Sequence, residues 1–256
     1  MRFARFECHD GVFPGIVKEG EIVVITGSLF TAYEETKTCY PLSEVKLLPP
    51  VIPTKIIGIG RNYRQHIEEI GARVPEKPRF FLKPPSSLIG HEDDIVIPRG
   101  AKRVDYEGEL AIVIKDKMKD VPEDQALDHV LGCSCFNDVT EKALVLENIA
   151  NLVIAKGFDT FSAFGPFIAT DLDPNDLEVK TYLNSKLMQH DNTKNCVFNV
   201  QQILHYLSQC MTLYPGDIVA TGTPKGIASL SPGDIVEVEV QGVGRLQNTV
   251  RSQDPT

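Results

Sequence analysis

The stretch DYEGELAIVI at 105–114 restricts the architecture of this chain more than any other segment. Read as a strand, its side chains alternate, so Glu107, Glu109, Ala111 and Val113 share one face. Tyr106, Gly108, Leu110, Ile112 and Ile114 share the other. Past Gly108 both faces are apolar, as in a strand covered on both sides. Such a strand must run through the interior of a layered sheet, and this one carries two carboxylates to the border of that interior. Like charges that close and that dry do not both stay ionised without a cation. A divalent metal answers the problem, and hard oxygen ligands favour Mg2+, Mn2+ or Ca2+ over zinc. On an exposed strand the same pair would be only a solvated face. A third carboxylate, Asp138, ends the apolar run CSCFNDV (133–139), either as a further ligand or as a helix cap for Thr140 onward.

The bulk composition leaves room for a full core. The chain has 256 residues, 42% hydrophobic and 24% charged, which are ordinary globular values. Its formal charge of -9, with no Lys/Arg cluster, argues against nucleic acid or an anionic membrane as the main partner. A few local cations can still serve a small anion. The six cysteines form no CxxC pair, and Cys133 and Cys135 are spaced to share one face of a strand. The opening MRFARFECHDG has no apolar core of a signal peptide, and no apolar stretch approaches the roughly 18 residues of a bilayer span. A cytoplasmic protein with free thiols is expected.

Punctuation along the chain separates two regions. Short strands broken by Gly11, Pro14–Gly15 and Glu19–Gly20 fill residues 1–50, which read as a small N-terminal β-rich subdomain. Pro49, Pro50 and Pro53 form a stiff connection to the main domain, 51–256. There, IIGIG (56–60) reads as a buried strand and 61–71 as one or two helical turns ending at Gly71. A strand is expected at DIVIP, a helix over 121–132 between a proline and a glycine, and another over 140–151. NVQQILHYLSQ (199–209) is the clearest helix, with Asn199 and Gln202 forming a capping box and Val200, Ile203, Leu204 and Leu207 on one face. Two PGDIV segments, at 215–219 and 232–236, each turn into a strand. Strands outnumber helices and do not alternate with them, so the fold class is α+β with a β-rich core.

The motifs GIGRNYRQH, FFLKPPSSLIG, RVDYEGELAIVI, FNDVT, AKGFDTF and MTLYPGDIVATGTPKGI, in this order, resemble the fumarylacetoacetate hydrolase family over roughly 55–250. The resemblance implies a mixed β-roll with flanking helices, assembled as a homodimer. It implies Mg2+ or Mn2+ on Glu107, Glu109 and Asp138, the same three side chains that spacing singles out. It further implies a catalytic dyad of His66 and Glu69, which can meet at i, i+3 on a short helix. Lys156 matches an active-site lysine able to neutralise a developing oxyanion. Gly222 and Thr223, with Pro224, match a turn that holds a substrate carboxylate. Arg61 and Ser86–Ser87 are expected along the pocket.

The function implied is metal-dependent chemistry on a small 2-oxo acid through an enolate. Hydrolysis of an acylpyruvate-type substrate and isomerisation or decarboxylation of a 2-hydroxy-dienedioate both fit. The alternatives are an oxaloacetate decarboxylase and a non-catalytic metal- or oxo-acid-binding member. The chain departs from the family pattern after FNDVT, where Glu141, Lys142, Ala143 and Val145 replace the usual Ala-Arg-Asp and a later glutamine.

Overall fold

The computed structural model describes residues 1–253. The chain opens with an antiparallel meander of β1 (Arg2–Cys8), β2 (Gly11–Lys18), β3 (Glu21–Gly27) and β4 (Tyr33–Pro41), followed by the short β5 (Lys46–Leu48). After the prolines come β6 (Ile56–Gly60), helix α1 (Arg64–Glu69), β7 (Arg79–Lys83), β8 (Leu88–Ile89), β9 (Asp94–Ile97) and β10 (Val104–Asp105). The centre of the chain holds β11 (Gly108–Ile114), β12 (Val130–Asp138), β13 (Thr140–Glu141), α2 (Lys142–Glu147) and α3 (Leu152–Gly157). It ends with β14 (Ser162–Ala169), β15 (Glu178–Leu183), β16 (Lys186–Asn192), α4 (Val200–Cys210), β17 (Ile218–Ala220), β18 (Ile235–Val240) and β19 (Gly244–Ser252).

Twelve strands form the main sheet in the order β4-β3-β2-β1-β14-β12-β11-β17-β6-β7, with β5 added at β1 and β8 at β14. A second sheet runs β16-β15-β18-β19-β9. Parallel pairs (β17 with β6, β14 with β8, β19 with β9) interrupt otherwise antiparallel ladders, so the fold is α+β with mixed sheets. Phe6 and Ile22 of residues 1–50 lie in a small cluster to which Phe167 of β14 also belongs, and β1 is hydrogen-bonded to β14. Among the described residues no helix is long and apolar enough to cross a membrane.

Every residue of β11 is buried, as its two apolar faces require. Leu110, Ile112 and Ile114 pack with Ile203, Leu204 and Leu207 of α4 and with Val238 and Val240 of β18. Ala111 and Val113 face the opposite cluster with Ile56, Phe164 and Ile218. Each such aliphatic side chain contributes about 1.5–3 kcal/mol when fully buried. The capping box at Asn199 and Gln202 is present, and the four apolar positions expected on one face of α4 are buried. Both PGDIV turns place glycine at positive φ, Gly216 at 84° and Gly233 at 94°.

Three sequence expectations are corrected. The strand at 105–114 is interrupted, because Tyr106 and Glu107 lie between β10 and β11, and β10 pairs with β13 rather than with β12. The segment 121–132 is a 3-10 helix only over Glu123–His129, and Gly132 lies inside β12 instead of ending a helix. Helix over 140–151 is broken at Asn148, whose extended backbone separates α2 from the next turn.

Gly108, between the two glutamates, marks where the second sheet comes closest. A Cβ there would sit 2.0 Å from Thr181 Oγ1 and 3.3 Å from Gln189 Oε1. Gly108→Ala should therefore cost about 1–3 kcal/mol as an overpacking substitution. In a Thr181→Ala background, which removes the nearest atom, the penalty should shrink. Denaturant melts of the four proteins in this cycle check it, and an equal penalty in both backgrounds would contradict the close approach.

Candidate active site

The three carboxylates converge because two antiparallel strands end together. In the β11–β12 ladder Gly108 stands opposite Asn137 and Glu109 opposite Phe136, which brings Asp138 beside Glu107. Glu107 has left the strand but stays tied to it. Its backbone N–H donates to Asn137 Oδ1 at 3.0 Å, and its carbonyl accepts from the Asp138 N–H at 2.8 Å. The side chains of Glu107, Glu109 and Asp138 are 8%, 1% and 1% exposed, and each offers an oxygen within 4.8 Å of the others. The helix-cap reading of Asp138 is excluded, since Glu141 caps α2 by accepting from the Leu144 N–H.

Lysines balance this charge unevenly. Lys156 is buried at the end of α3 and donates to Glu107 Oε2 (2.7 Å) and to Asp138 Oδ2 (2.5 Å), with its ammonium 4.9 Å from the centre of the Phe81 ring. Lys83, at the end of β7, donates to Asp138 Oδ1 (2.6 Å) and to the Val139 carbonyl (3.2 Å). Lys142 approaches Glu107 Oε1 at 3.5 Å. Burial alone would raise the Glu107 carboxyl, yet the charges of Lys156 and Lys142 hold it down at about 2. Burial pulls Lys156 down, but Asp138 and Glu107 outweigh it and hold the ammonium above its ordinary range. Burial lowers Lys83 to about 8, with Asp138 opposing that shift.

Glu109 has no such partner. Its carboxylate accepts the Gly222 N–H at 2.7 Å, and no lysine or arginine pairs with it among the described residues. Burial first, then the charge of Asp138, pushes its carboxyl well above the usual range. An all-oxygen set of three buried carboxylates, one lacking a cation, fits a hard divalent metal.

Facing the triad is a cavity of about 340 Å³ lined by His66, Arg61, Lys156 and Thr223 together with the three carboxylates. His66 Nδ1 lies 3.1 Å from Glu69 Oε2, and Glu69 Oε1 accepts the Gly226 N–H at 3.0 Å. Glu69 thus orients the imidazole, and its other ring nitrogen has no hydrogen-bond partner among the described residues. The Thr223 hydroxyl donates to the Gly108 carbonyl (2.9 Å) and accepts from Gln189 Nε2 (2.8 Å). The Gly222 N–H and the Thr223 hydroxyl are therefore both engaged by the scaffold around the triad. Ser86 and Ser87, expected along the pocket, do not line it, and Ser87 Oγ instead pairs with Ser162 Oγ at 2.7 Å.

Two contributors escaped sequence reading. Lys83 belongs to the quoted FFLKPP string, and its signal was its place two residues after Phe81 on one face of β7. Asn137 beside Asp138 gave no sign that it fastens the Glu107 backbone. The atypical residues after FNDVT also gain definite places. Glu141 Oε1 accepts the N–H groups of Lys102 (2.8 Å) and Arg103 (3.1 Å), while Val145 lines the cavity.

This geometry lies on a chain whose residues 55–251 match the family model for the fumarylacetoacetate (FAA) hydrolase C-terminal region. The chain belongs to the fumarylacetoacetate hydrolase family. Residues 1–50 match a second model, described as Rv2993c-like, N-terminal. A protein of Archaeoglobus fulgidus is 45% identical over 96% of this chain and 94% of its own. Among solved structures, 2-hydroxyhepta-2,4-diene-1,7-dioate isomerase from Mycobacterium marinum superposes with a TM-score of 0.92 at 36% identity, covering 100% of both chains. Maleylpyruvate hydrolase from Sphingobium sp. SYK-6, solved with manganese(II) and pyruvate, gives 0.83 at 31% identity, covering 99% of this chain and 100% of its own.

Removing one partner of a buried ion pair costs about 3–5 kcal/mol, because the other charge is left stranded. Lys156→Met should show a loss of that order in metal-free protein, measured by urea unfolding with a chelator present. Saturating Mn2+ should recover much of it, since a bound cation neutralises the same oxygens. A loss that is identical with and without Mn2+ would show that the lysine and the metal do not share the carboxylates.

Proposed function

We propose that this chain is a divalent-metal-dependent enzyme acting on small 2-oxo acids, with Glu107, Glu109 and Asp138 holding Mg2+ or Mn2+. The observation that carries the reading is the shared cavity, which sets three buried carboxylates, Glu109 among them without a lysine partner, beside a buried lysine and an imidazole–carboxylate dyad. When bound, the metal supplies Lewis-acid polarisation of a 2-oxo acid's carboxylate and keto oxygens, favouring the enolate form.

The chain's own residues account for the remaining steps. Lys156, kept protonated by its carboxylate neighbours, offers an ammonium to the oxygen on which negative charge develops. His66, oriented by Glu69, is placed to take a proton at its free ring nitrogen. In hydrolysis of an acylpyruvate-type substrate that proton comes from water. The water oxygen adds to the acyl carbonyl carbon, the adjacent C–C bond breaks, and its electron pair stays on the pyruvate fragment as the enolate. His66 then returns the proton to carbon. In isomerisation of a 2-hydroxy-dienedioate the same dyad moves a proton from the enol oxygen to carbon; in decarboxylation the C–C bond to the departing CO2 breaks, its electron pair stays on the remaining carbon framework, and the dyad delivers a proton there. Thr223 and Gly222 hold the Gly108 carbonyl and the Glu109 carboxylate in place, so the triad keeps its spacing while substrate comes and goes.

A Mg2+/Mn2+-dependent screen over acylpyruvates, oxaloacetate and unsaturated hydroxy-dioates tests the proposal. Glu107→Ala and Asp138→Ala should abolish turnover and also the metal-induced rise in melting temperature, which amounts to about 2.7 kcal/mol at a hundredfold excess over Kd. His66→Gln should lose about 10²–10⁴-fold in kcat yet keep that thermal shift. Triad variants with full activity on the best substrate would end this reading.

The same reading extends to assembly as a homodimer. Leu146, Ile149, Val153 and Ile154 on and between α2 and α3 are 58–68% exposed, and Leu82 lies beside Val153 and Ile154 along one groove. An apolar face of this kind marks a contact surface. Light scattering should give twice the chain mass for the native protein and a monomer for Leu146→Glu with Val153→Glu. A native monomer at micromolar concentration would exclude the dimer.

A further inference from the structure

One loop, residues 222–226, touches both halves of the site. At its start the Gly222 N–H reaches Glu109 Oε2 at 2.7 Å, and at its end the Gly226 N–H reaches Glu69 Oε1 at 3.0 Å. A carboxylate of the triad and the carboxylate of the dyad are therefore held by the same short segment. The loop has no regular secondary structure, and both glycines sit at positive φ, 101° and 99°. Glycine is free to leave such a conformation, so the loop's own backbone does not fix its shape.

A side chain from the second sheet does. Gln189 of β16 is buried and makes three hydrogen bonds with one amide. Its Oε1 accepts the N–H of Gly108, the residue between the two glutamates, at 3.1 Å. Its Nε2 donates to the Thr223 hydroxyl at 2.8 Å and to the Pro224 carbonyl at 2.7 Å. The Thr223 hydroxyl donates in turn to the Gly108 carbonyl at 2.9 Å, so both backbone groups of Gly108 are tied to the middle of the loop.

The strand that carries Gln189 is irregular at this point. Along a regular strand Leu187 and Gln189 would share a face. The β15–β16 ladder instead slips by one residue, with Thr181 opposite Gln189 and Tyr182 opposite Leu187, so Met188 is extra. Bulges of this kind re-aim side chains and gather beside active sites. Here the apolar Leu187 is left 47% exposed and the polar Gln189 goes inward at 1%, the reverse of what hydrophobicity favours. The bulge also presses the Met188 carbonyl against the loop, where a Cβ on Gly226 would stand 2.3 Å from it.

We propose that Gln189 is a positioning residue, which clamps loop 222–226 to the Gly108 backbone and so sets the offset between the carboxylate triad and the His66–Glu69 dyad. The inference rests on the reading of triad and dyad given above. Gln189 does not line the cavity and acts only through Gly108, Thr223 and Pro224. The offset matters because a base misplaced by about 1 Å can cost about a hundredfold in rate.

Gln189→Met tests this, since it removes the three hydrogen bonds at nearly constant side-chain length. Mn2+ titrated by calorimetry should bind about tenfold more weakly than to native protein, as when an outer partner of a metal ligand is lost. The 15N signals of the His66 side chain, recorded with Mg2+, should move from one tautomer toward a mixture as Glu69 loses its fixed place. Gln189→Asn keeps the amide but is one methylene too short to join both sides, and should reproduce both shifts where the methionine variant does not fold. Val179→Ala, in the core on neighbouring β15, lowers stability without touching the clamp and should leave both readings at native values. Native Mn2+ affinity or native His66 signals in a folded Gln189 variant overturn the inference, because the clamp must act at both ends of the loop. The same shifts in Val179→Ala, or failure of both Gln189 variants to fold, overturn it as well by making the residue merely structural. Native protein that binds no Mn2+ takes down the metal reading and this inference with it, whereas native binding with unshifted Gln189 variants ends this inference alone.

Discussion

The neutralisation of three buried carboxylates is the constraint around which the rest of this structure is arranged. Each ionised carboxylate in a dry interior carries a desolvation penalty of several kcal/mol, which attraction to a cation offsets only when the geometry is good. Lys156 and Lys83 provide that for Asp138 and, through Lys156, for Glu107. Glu109 accepts one backbone N–H and pairs with no lysine or arginine among the described residues, so only the more distant charge of Lys156 opposes its burial. This imbalance makes a divalent metal chemically apt here, and it sets the character of the neighbouring residues. Gly108 lets the second sheet come close enough to shield the pair, Asn137 holds the Glu107 backbone once it leaves the strand, and Gly222 turns its N–H inward. A Cβ at Gly222 would stand 2.8 Å from the Asn62 side chain, and its φ of 101° excludes most other residues.

What was legible in the sequence follows from how far each interaction reaches along the chain. Glu107 and Glu109 were visible because strand alternation is local, and the meeting of His66 with Glu69 was visible because three residues of helix fix it. The capping box of α4 is local too and stands as read. Lys83 and Asp138 are 55 residues apart, and no periodicity links them. The break at Tyr106 and Glu107 was hidden for a related reason. Uninterrupted apolar alternation favours one strand, whereas the β13 edge draws Val104 and Asp105 into a separate pairing. At 121–132 the proline and glycine bracket a helix by composition, but the pull of β11 on 130–132 extends β12 and leaves only a 3-10 turn. In each miss a tertiary pairing overrode a sound local preference.

The segment after FNDVT shows the same division on a smaller scale. Its departure from the family pattern casts doubt on the site only if those residues act there directly, and the structure separates them. Glu141 is a framework residue, tying the 102–103 backbone to the first turn of α2. Lys142 keeps a cation 3.5 Å from Glu107, so positive charge is retained without the two-pronged contact an arginine would give. Val145 puts an apolar side chain on the cavity wall. Positive charge thus stands beside the triad, while Val145 adds to the apolar lining of the cavity.

That contrast explains how one scaffold can serve several reactions. The triad sits on the ends of central strands that are buried on both faces, where a displacement would disturb the core on either side. The residues that would meet the rest of a substrate lie on α2, on the turn before α3, and on the β6–β7 edge, where fewer neighbours resist change. A metal and a lysine at the fixed end are suited to any substrate presenting a 2-oxo acid, because all such substrates place their developing charge on the same oxygens. Under the proposed function, discrimination among such substrates falls to the other end of the cavity, where the wall is largely apolar. Binding energy gained there acts on the chemistry only by positioning the reacting bond against His66 and Lys156.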